Sequence, residues 1–161
     1  MEIRLLVEKD RAGLLSMLVK THFFTSKEIG VAMELIDIVL KDPVQKDYRI
    51  YCIVDDQDQI MGYVCYGPTP MTQGTFDLYW IAVDPDFQGK GMGSRLLDFL
   101  EKMVKELKGR IILADTSSVP QYEKTKGFYL KNGFQEVARV PDYYYSGNDR
   151  ITFCKRLEEK G

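Results

Sequence analysis

Three glycines at alternate positions carry the clearest chemical signal in the sequence. They are Gly89, Gly91 and Gly93, and they follow Gln88 and the pair Asp84-Pro85. Glycine accepts a positive φ without steric cost, so successive backbone N–H groups in such a turn can converge on one anion. An amphipathic helix follows at once, and a helix N-terminus favours negative charge. The segment therefore predicts a binding site for a diphosphate, which offers many oxygens to a row of donors.

Two better-known glycine motifs do not fit this turn. A P-loop needs Ser or Thr after Gly-Lys, whereas Lys90 is followed by Gly91, and Asp84 stands where its first glycine should be. A dinucleotide-binding fingerprint counted from Gly89 finds Ser94 in place of its third glycine. Both motifs are therefore set aside.

A strand and a helix must position the turn. Residues 76–83 are rich in aromatic and β-branched side chains and end at Asp84-Pro85, which predicts a strand followed by a breaker. After the turn, apolar residues recur at the spacing of one buried helix face. They are Leu96, Leu97, Leu100, Met103, Val104 and Leu107. A short apolar segment, 110–114, comes next, and the order strand, helix, strand predicts a parallel pair.

The turn's spacing, Gln-x-x-Gly-x-Gly after a strand ending in Val-Asp-Pro, resembles the acyl-CoA-binding signature of the GNAT superfamily of N-acetyltransferases. A second segment supports the resemblance, because Tyr129 lies four residues before Gly133-Phe134, as in the family run Phe-Tyr-x-x-x-Gly-Phe. The resemblance implies an α/β (α+β) fold with a mixed, largely antiparallel central sheet of about six to seven strands. A parallel, splayed pair would lie in its middle, and about four helices would flank it.

The resemblance also implies acetyl-CoA as the cofactor. The turn backbone would hold its pyrophosphate, and the backbone of the preceding strand would hold its pantetheine arm. The implied cofactor-binding residues are Ile81, Ala82, Val83, Gln88, Gly89, Lys90, Gly91, Met92, Gly93, Ser94, Ser117, Tyr122 and Tyr129. Family members often carry Asn at the position of Tyr122, and Ser117 or Ser118 could replace that contact.

Two side chains are candidates for the chemistry. A thiol has a pKa near ~8.5 and a phenol near ~10, so neutral Tyr129, which matches the family's helical tyrosine, can protonate a departing thiolate. Asp77 falls where some GNAT enzymes carry a glutamate that deprotonates the amine through water. Being one methylene shorter, Asp77 is either a base or a binding group for the ammonium. Strand alternation puts it on one face with Tyr79, Ile81 and Val83.

The acceptor is predicted to be a primary amine of a small molecule or amino acid, acetylated directly in a ternary complex. Tyr79 and the tyrosine-rich turn Tyr143-Tyr144-Tyr145 are the candidate substrate-contacting residues, although the turn is equally well a plain hairpin tip. The alternatives are a peptide or protein acetyltransferase and a non-catalytic acyl-CoA sensor. A route through an acyl-cysteine is disfavoured because the cysteines lie in strand-like runs without a neighbouring histidine.

Composition limits the other function classes. The 161 residues suit a single domain, 1–161, and a net charge of -2 does not indicate nucleic-acid binding. Three widely spaced cysteines suit neither a disulfide framework nor a metal site, and no leader or membrane-spanning run is recognised. The expectation is a cytoplasmic enzyme without a metal, without a membrane or nucleic-acid partner, and either monomeric or homodimeric.

Local signals predict the element ends. Asp10 and Ser26 are candidate caps for two helices near the N-terminus, and Gly109 is a candidate C′ glycine for the helix after the turn. His22, in the connection between the first two helices, is interpreted as a packing residue or a base. Segments 48–54 and 60–66 predict a hairpin, and 135–140 and 150–155 the closing strands.

Overall fold

The computed structural model describes residues 1–158. Its strands are β1 (Glu2–Leu5), β2 (Arg49–Val54), β3 (Ile60–Pro68), β4 (Thr75–Val83), β5 (Ile111–Ser117), β6 (Gln135–Tyr145) and β7 (Asn148–Arg156). Its helices are α1 (Asp10–Lys20), α2 (Ser26–Lys41), α3 (Met92–Glu106) and α4 (Glu123–Lys131). Short 3-10 segments cover Pro85–Phe87 and Pro120–Tyr122.

The strands form one seven-stranded sheet in the order β1-β2-β3-β4-β5-β7-β6. The pairs β1–β2, β2–β3, β5–β7 and β6–β7 are antiparallel, and β4 with β5 is parallel. The predicted mixed, largely antiparallel sheet with a central parallel pair is therefore confirmed. The parallel pair has α3 as its crossover, as the strand-helix-strand order predicted.

The parallel ladder is short. It joins Thr75–Leu78 of β4 to Ile111–Ala114 of β5 and stops there. β4 nevertheless continues to Val83, and β5 continues to Ser117 in pairing with β7. Residues 79–83 of β4 therefore lie outside the parallel ladder.

Two compact parts make up the chain. The first comprises Met1–Gly67 and Trp80–Leu100, and its core consists of apolar side chains from α1, α2, β2 and β3. Leu14, Leu18 and Ile36 are fully buried there because both helices present their apolar faces to the same strands. Trp80 joins this core with its ring centroid 5.1 Å from that of Phe24.

The second part comprises Pro68–Tyr79 and the chain from Glu101 onward. Its core is aromatic: the ring of Tyr129 stacks on Phe153 at 5.6 Å and lies 5.2 Å from Phe134. Lys155 of β7 forms an ion pair with Glu101 of α3 at 2.7 Å. The prediction of a single domain stays a prediction.

Three element ends differ from the sequence predictions. Thr25, not Ser26, caps α2, in a capping box with Glu28. Asp10 is the first residue of α1, and its carboxylate binds the N–H of Val7 and the guanidinium of Arg4 instead of a helical N–H. Hydrogen bonds to atoms outside the helix outcompete the cap because the carboxylate is buried beside a cation.

The end of α3 differs as well. The left-handed residue there is Lys108, with φ 63°, and Gly109 follows it, donating its N–H to Val104 O at 2.8 Å. Gly109 is needed for space: a Cβ on it would lie 2.2 Å from Val104 Cγ1 and 3.0 Å from Phe76 Cδ2. The glycine was correctly associated with the helix end, but its assignment as the C′ residue was wrong.

Candidate functional site

The turn between β4 and α3 has its shape fixed at its start. Asp84 is buried, and its carboxylate accepts a hydrogen bond from the N–H of Asp86 at 2.9 Å, which begins the 3-10 segment. Its own N–H donates to Met61 O at 2.8 Å. The side-chain amide of Gln88 then donates back to Val83 O at 3.1 Å. The chain thus leaves β4 in a defined direction before the glycines begin.

Lys20 of α1 forms ion pairs with the first part of this turn. Its ammonium lies 2.8 Å from Asp84 Oδ1 and 2.6 Å from Asp86 Oδ2. These two carboxylates raise the pKa of Lys20 above its ordinary value through their hydrogen bonds. No local pattern predicts this contact, because 64 residues separate Lys20 from Asp84.

The turn itself presents a run of unused donors. Among residues 1–158, no backbone or side-chain acceptor receives a hydrogen bond from the N–H groups of Gln88, Gly89, Lys90, Gly91, Met92, Gly93 and Ser94. The first helical bond begins only at Arg95, whose N–H donates to Gly91 O at 3.0 Å. The first turn of a helix always leaves its N–H groups unpaired, and here the run extends back through the glycine turn.

Two of the glycines have the conformation that the sequence predicted. Gly89 has φ 72° and Gly91 has φ 83°, in the left-handed region that glycine enters freely. A Cβ on either residue would meet no atom within 4 Å, so the positive φ and not a lack of space is the reason for glycine at both positions. Positive charge lies close by, since Lys90 donates to Asp86 O and lies over the Phe87 ring, 5.4 Å from its centroid.

Tyr129 lies in the second part of the chain, near the C-terminal end of α4. It is 5 % exposed, and aromatic rings from Phe128, Phe134 and Phe153 surround it. Burial, followed by the charge of Asp115, raises the pKa of the Tyr129 phenol above its usual range. The phenol is therefore neutral and proton-bearing at physiological pH.

Asp77 lies near the start of β4 and is held by a neighbour that the sequence analysis missed. The hydroxyl of Thr69, in the loop before β4, donates to Asp77 Oδ2 at 2.7 Å. The loop is closed by the Thr69 N–H, which donates to Thr75 O at 2.8 Å. The acceptor-rich carboxylate therefore keeps a fixed orientation without a cation beside it, since no ion pair of the described chain includes Asp77.

The strand register places Asp77 and Tyr129 on opposite faces of the sheet. Phe153, on which Tyr129 stacks, pairs with Ala114 of β5, so these side chains share one face. Asp77 pairs with Leu113, the neighbour of Ala114, and neighbouring residues in a strand point to opposite faces. A proton donor and a carboxylate are thus available from the two sides of the same ladder.

The structure places the other predicted cofactor residues as follows. Ser117 is buried at the end of β5, where its hydroxyl binds the Asn148 side-chain carbonyl and accepts a bond from Val119 N–H. The Ser118 hydroxyl accepts from Asp149 N–H at 2.8 Å. Tyr122 is half-buried and directly precedes α4. Both serine hydroxyls thus have partners in the β6–β7 hairpin.

The three consecutive tyrosines lie in β6, not in a turn as predicted. β6 extends to Tyr145, and only Ser146 and Gly147 separate it from β7. The strand continues because Tyr145 still pairs with Asn148 across the hairpin. Tyr143, Tyr144 and Tyr145 are exposed, as is Tyr79 of β4. The guanidinium of Arg150 lies over the Tyr143 ring, 4.6 Å from its centroid.

Other predicted or considered groups lie away from these features. Cys52, Cys65 and Cys154 are in strands, and burial raises the thiol pKa of Cys52 and of Cys65 to about 12. His22 is exposed with φ 52°. Among residues 1–158, no three His, Cys, Asp or Glu side chains are arranged to hold a metal ion. No helix of the described chain is long and apolar enough to cross a membrane.

Comparison with solved structures places this fold among acetyltransferases. A GNAT-family acetyltransferase from Desulfovibrio desulfuricans superposes with a TM-score of 0.93 and 37% identity, over 98% of this chain and 99% of that one. An aminoglycoside 6'-N-acetyltransferase crystallised with coenzyme A has a TM-score of 0.76 at 19% identity, over 100% and 99% of the two chains. At that identity the second likeness shows the fold alone.

Comparison of sequences agrees. The S-(2-succino)cysteine N-acetyltransferase of Bacillus subtilis is 30% identical in an alignment of length 158. The alignment covers 84% of this chain and 88% of that protein. A tRNA(Met) cytidine acetyltransferase of Aeropyrum pernix is 28% identical over 92% of this chain, which spans only 20% of that protein. The family model for the acetyltransferase (GNAT) domain matches residues 46–136, including the turn and Tyr129. The chain therefore belongs to the GNAT family of acetyltransferases.

Proposed function

We propose that this GNAT protein transfers an acetyl group from acetyl-CoA to the primary amine of a small molecule or amino acid. Transfer is direct, in a complex that holds both substrates. The observation that carries the proposal is the run of seven unpaired backbone N–H groups from Gln88 to Ser94. A turn with this many converging donors fits a pyrophosphate, and the family uses acetyl-CoA.

Magnitudes favour the amides over the helix dipole as the source of affinity. The dipole contributes about 0.3–1 kcal/mol at an exposed site. Each hydrogen bond to a charged acceptor contributes about 1.5–3 kcal/mol, so a few amides exceed the dipole. Because the donors belong to the backbone, the side chains of Lys90, Met92 and Ser94 contribute less to binding than the turn's conformation does.

The pantetheine arm is assigned to the end of β4. Ile81, Ala82 and Val83 lie beyond the last parallel pair, Leu78 with Ala114, so their backbone groups are not used in the β4–β5 ladder. An amide-rich arm can form the hydrogen bonds that a neighbouring strand would otherwise form. Tyr122 and Ser117 are assigned further contacts to the cofactor. Because the Ser117 hydroxyl already binds Asn148, the Ser117 contact is assigned to its backbone.

Tyr129 is assigned as the general acid. The amine nitrogen bonds to the acetyl carbon as the C–S bond of the thioester breaks, and the departing sulfur takes up the phenol proton. The proton that the nitrogen loses on forming the amide then restores the Tyr129 phenol. Burial holds the phenol pKa above its ordinary value, so Tyr129 carries its proton throughout the physiological range, and donation occurs only as negative charge develops on the departing sulfur.

Asp77 is assigned to the amine. An alkylammonium with a pKa near ~10 must lose a proton before it can attack, and a carboxylate can accept that proton through water or hold the ammonium in place. The Thr69 hydroxyl fixes the Asp77 carboxylate in either role. Tyr79 is assigned to contact the same acceptor.

Two observations, one from a relative and one from the surface, support candidate acceptor classes. The relative from Bacillus subtilis is named for an amino-acid derivative, which supports a small amino acid over an aminoglycoside. Exposed Tyr143, Tyr144 and Tyr145 favour a second candidate, a peptide N-terminus that lies along β6. An acyl-cysteine intermediate is not part of the proposal, because the Cys52 and Cys65 thiols are buried with a pKa of about 12.

Replacement of Tyr129 separates an enzyme from a non-catalytic acyl-CoA sensor. Tyr129→Phe keeps the buried ring and removes only the proton donor, so kcat should fall by about 10²–10⁴-fold while the acetyl-CoA dissociation constant stays within about twofold. Turnover is measured as free thiol released from acetyl-CoA, and binding by titration calorimetry. Tyr63→Phe is the matched control, because the buried Tyr63 hydroxyl has no hydrogen-bond partner in the described chain. Equal turnover in the Tyr129 variant would remove this residue from the mechanism.

A further inference from the structure

We propose that Arg150 binds a carboxylate of the acceptor, so that the substrate is an amine that also carries a carboxylate. The inference rests on the proposed function, since it concerns the acceptor of that same reaction. It is carried by the state of the Arg150 guanidinium, by its position in β7, and by the partners of the carboxylates around it.

Arg150 has unused hydrogen-bonding capacity in a partly desolvated place. Its Nε is buried and has no acceptor, and no ion pair or hydrogen bond within residues 1–158 involves its guanidinium. Arginine stays charged at all physiological pH values, and a buried donor without a partner is costly. The Tyr143 ring lies against the guanidinium, with 4.6 Å between Arg150 Cζ and the ring centroid. The planar guanidinium can receive a carboxylate in a two-point contact.

The register places Arg150 on the face of the sheet that carries Asp77. Arg150 pairs with Ser117 of β5, and Asp115 pairs with Thr152. Residues two apart in a strand share a face, so Arg150 lies with Thr152, Asp115 and Leu113. Leu113 is the partner of Asp77 across the parallel ladder. The carboxylate assigned to the amine and the unpaired guanidinium are therefore on one surface.

The nearby carboxylates are held by other partners. Asp115 is a diagonal neighbour of Arg150, but its Oδ1 accepts from the Thr152 hydroxyl at 2.6 Å. Asp149 precedes Arg150 and points to the other face, where it forms an ion pair with Arg139 at 2.7 Å. No ion pair within residues 1–158 includes Arg150, so its guanidinium is available to an anion from solution.

Charges of both signs on this surface match a zwitterionic acceptor. Asp77 and Asp115 attract the ammonium, and Arg150 receives the carboxylate. Asp77 and Arg150 are two strands and four residues apart, or about 16 Å between Cα atoms at ~4.8 Å per strand and ~3.3 Å per residue. The long Arg150 side chain shortens this distance from one side, whereas the Asp77 side chain is short, so an amino acid with a carboxylate on its side chain fits better than glycine.

The test is a thiol-release assay on matched acceptors. The panel contains amino acids with a side-chain carboxylate, such as glutamate, their amides, such as glutamine, and amines without any carboxylate. Carboxylate-bearing acceptors should show kcat/KM values about ten- to hundredfold above their uncharged counterparts, as expected for one hydrogen-bonded charge pair. Arg150→Gln should remove this preference through the KM of the acceptor, with the KM of acetyl-CoA unchanged.

Two further variants keep the test decisive. Arg156→Gln is the control, because Arg156 lies on the same face of the same strand, six residues away, and it should keep the preference. Arg150→Lys retains the charge without the planar group and should keep part of the preference for carboxylate-bearing acceptors. This variant also provides a test if Arg150→Gln folds poorly. An equal loss for charged and uncharged acceptors in either Arg150 variant, or a wild-type preference for uncharged amines, would overturn the inference. Absence of thiol release with every acceptor would instead contradict the proposed function, and the inference with it.

Discussion

Asp77 is the residue whose role the sequence left open, and its hydrogen bond from Thr69 makes that role testable. A carboxylate held at 2.7 Å by a hydroxyl has one defined orientation, so an ammonium or a water would meet the same oxygen in every molecule. Thr69 is a positioning residue in this account, since it acts on the substrate only through Asp77. The contact between Thr69 and Asp77 could not be predicted from the sequence, because nothing in residues 67–74 indicates which side chain bonds to β4.

Variants at these two positions distinguish a base from a binding group. If Asp77 is the base, Asp77→Ala lowers kcat and shifts the pH dependence of the rate; if it holds the ammonium, the acceptor KM rises instead. Thr69→Val should change the same parameter to a smaller extent, by about three- to tenfold for one lost neutral hydrogen bond. In the Asp77→Ala background Thr69→Val should have no further effect, since contacting residues are coupled. Additive effects in this double-mutant cycle would contradict the positioning role.

At the residue scale, the sequence could indicate residue types but not their contacts. Tyr129 was predicted from its four-residue spacing to Gly133-Phe134, and its site in α4 among aromatic rings agrees with that local pattern. Arg150 was not predicted as a site residue, because its sequence context does not show whether its guanidinium has a partner. The structure shows that its buried Nε has no hydrogen-bond acceptor within residues 1–158.

At the element scale, α3 and the turn before it carry the cofactor assignment. Apolar periodicity predicted the buried face of α3, and Leu96, Leu100 and Val104 are completely buried. The helix end was less accurate, because Lys108 takes the left-handed conformation that glycine usually supplies. Gly109 sits one position later, where Val104 and Phe76 leave no room for a side chain. The sequence thus predicted where α3 ends, but it did not show that Gly109 is required for lack of space.

Replacement of Gly91 tests whether the turn before α3 binds acetyl-CoA. Gly91→Val introduces a β-branched residue at φ 83°, a conformation that valine adopts only with strain, so the turn should change shape and acetyl-CoA binding should weaken by about tenfold or more. Gly147→Val is the matched control, because Gly147 has φ 85° and equally open surroundings but lies in the β6–β7 hairpin. Calorimetric titration with acetyl-CoA compares the two. Equal weakening in both variants would indicate a general loss of folding and not a specific site at Gly91.

At the scale of the whole molecule, the directions of strand pairing were predictable, whereas the strand order and the extent of pairing were not. The strand-helix-strand order around residues 75–117 requires a parallel pair, and the flanking hairpins require antiparallel neighbours. The parallel ladder ends at Leu78 and Ala114. This end depends on backbone geometry, and no residue type in the two strands predicts it. The tyrosines of β6 show the same limit, since a hydrophilic segment predicted as a loop continues as a strand through Tyr145.

Family membership and the fold of the relatives support acetyl transfer as the class of reaction, and the acceptor is proposed from Asp77, Asp115 and Arg150. A chain that only senses acyl-CoA would retain the donors of Gln88–Ser94 and the Tyr129 ring in the core, but it would not need the Tyr129 hydroxyl for turnover.

The most direct test of this account is the release of free thiol from acetyl-CoA by the wild-type protein, with and without amino acids and other primary amines. The account predicts that release depends on the added amine and is accompanied by one equivalent of N-acetylated product, identified by mass spectrometry. Binding of acetyl-CoA without amine-dependent thiol release from any member of the panel would contradict it.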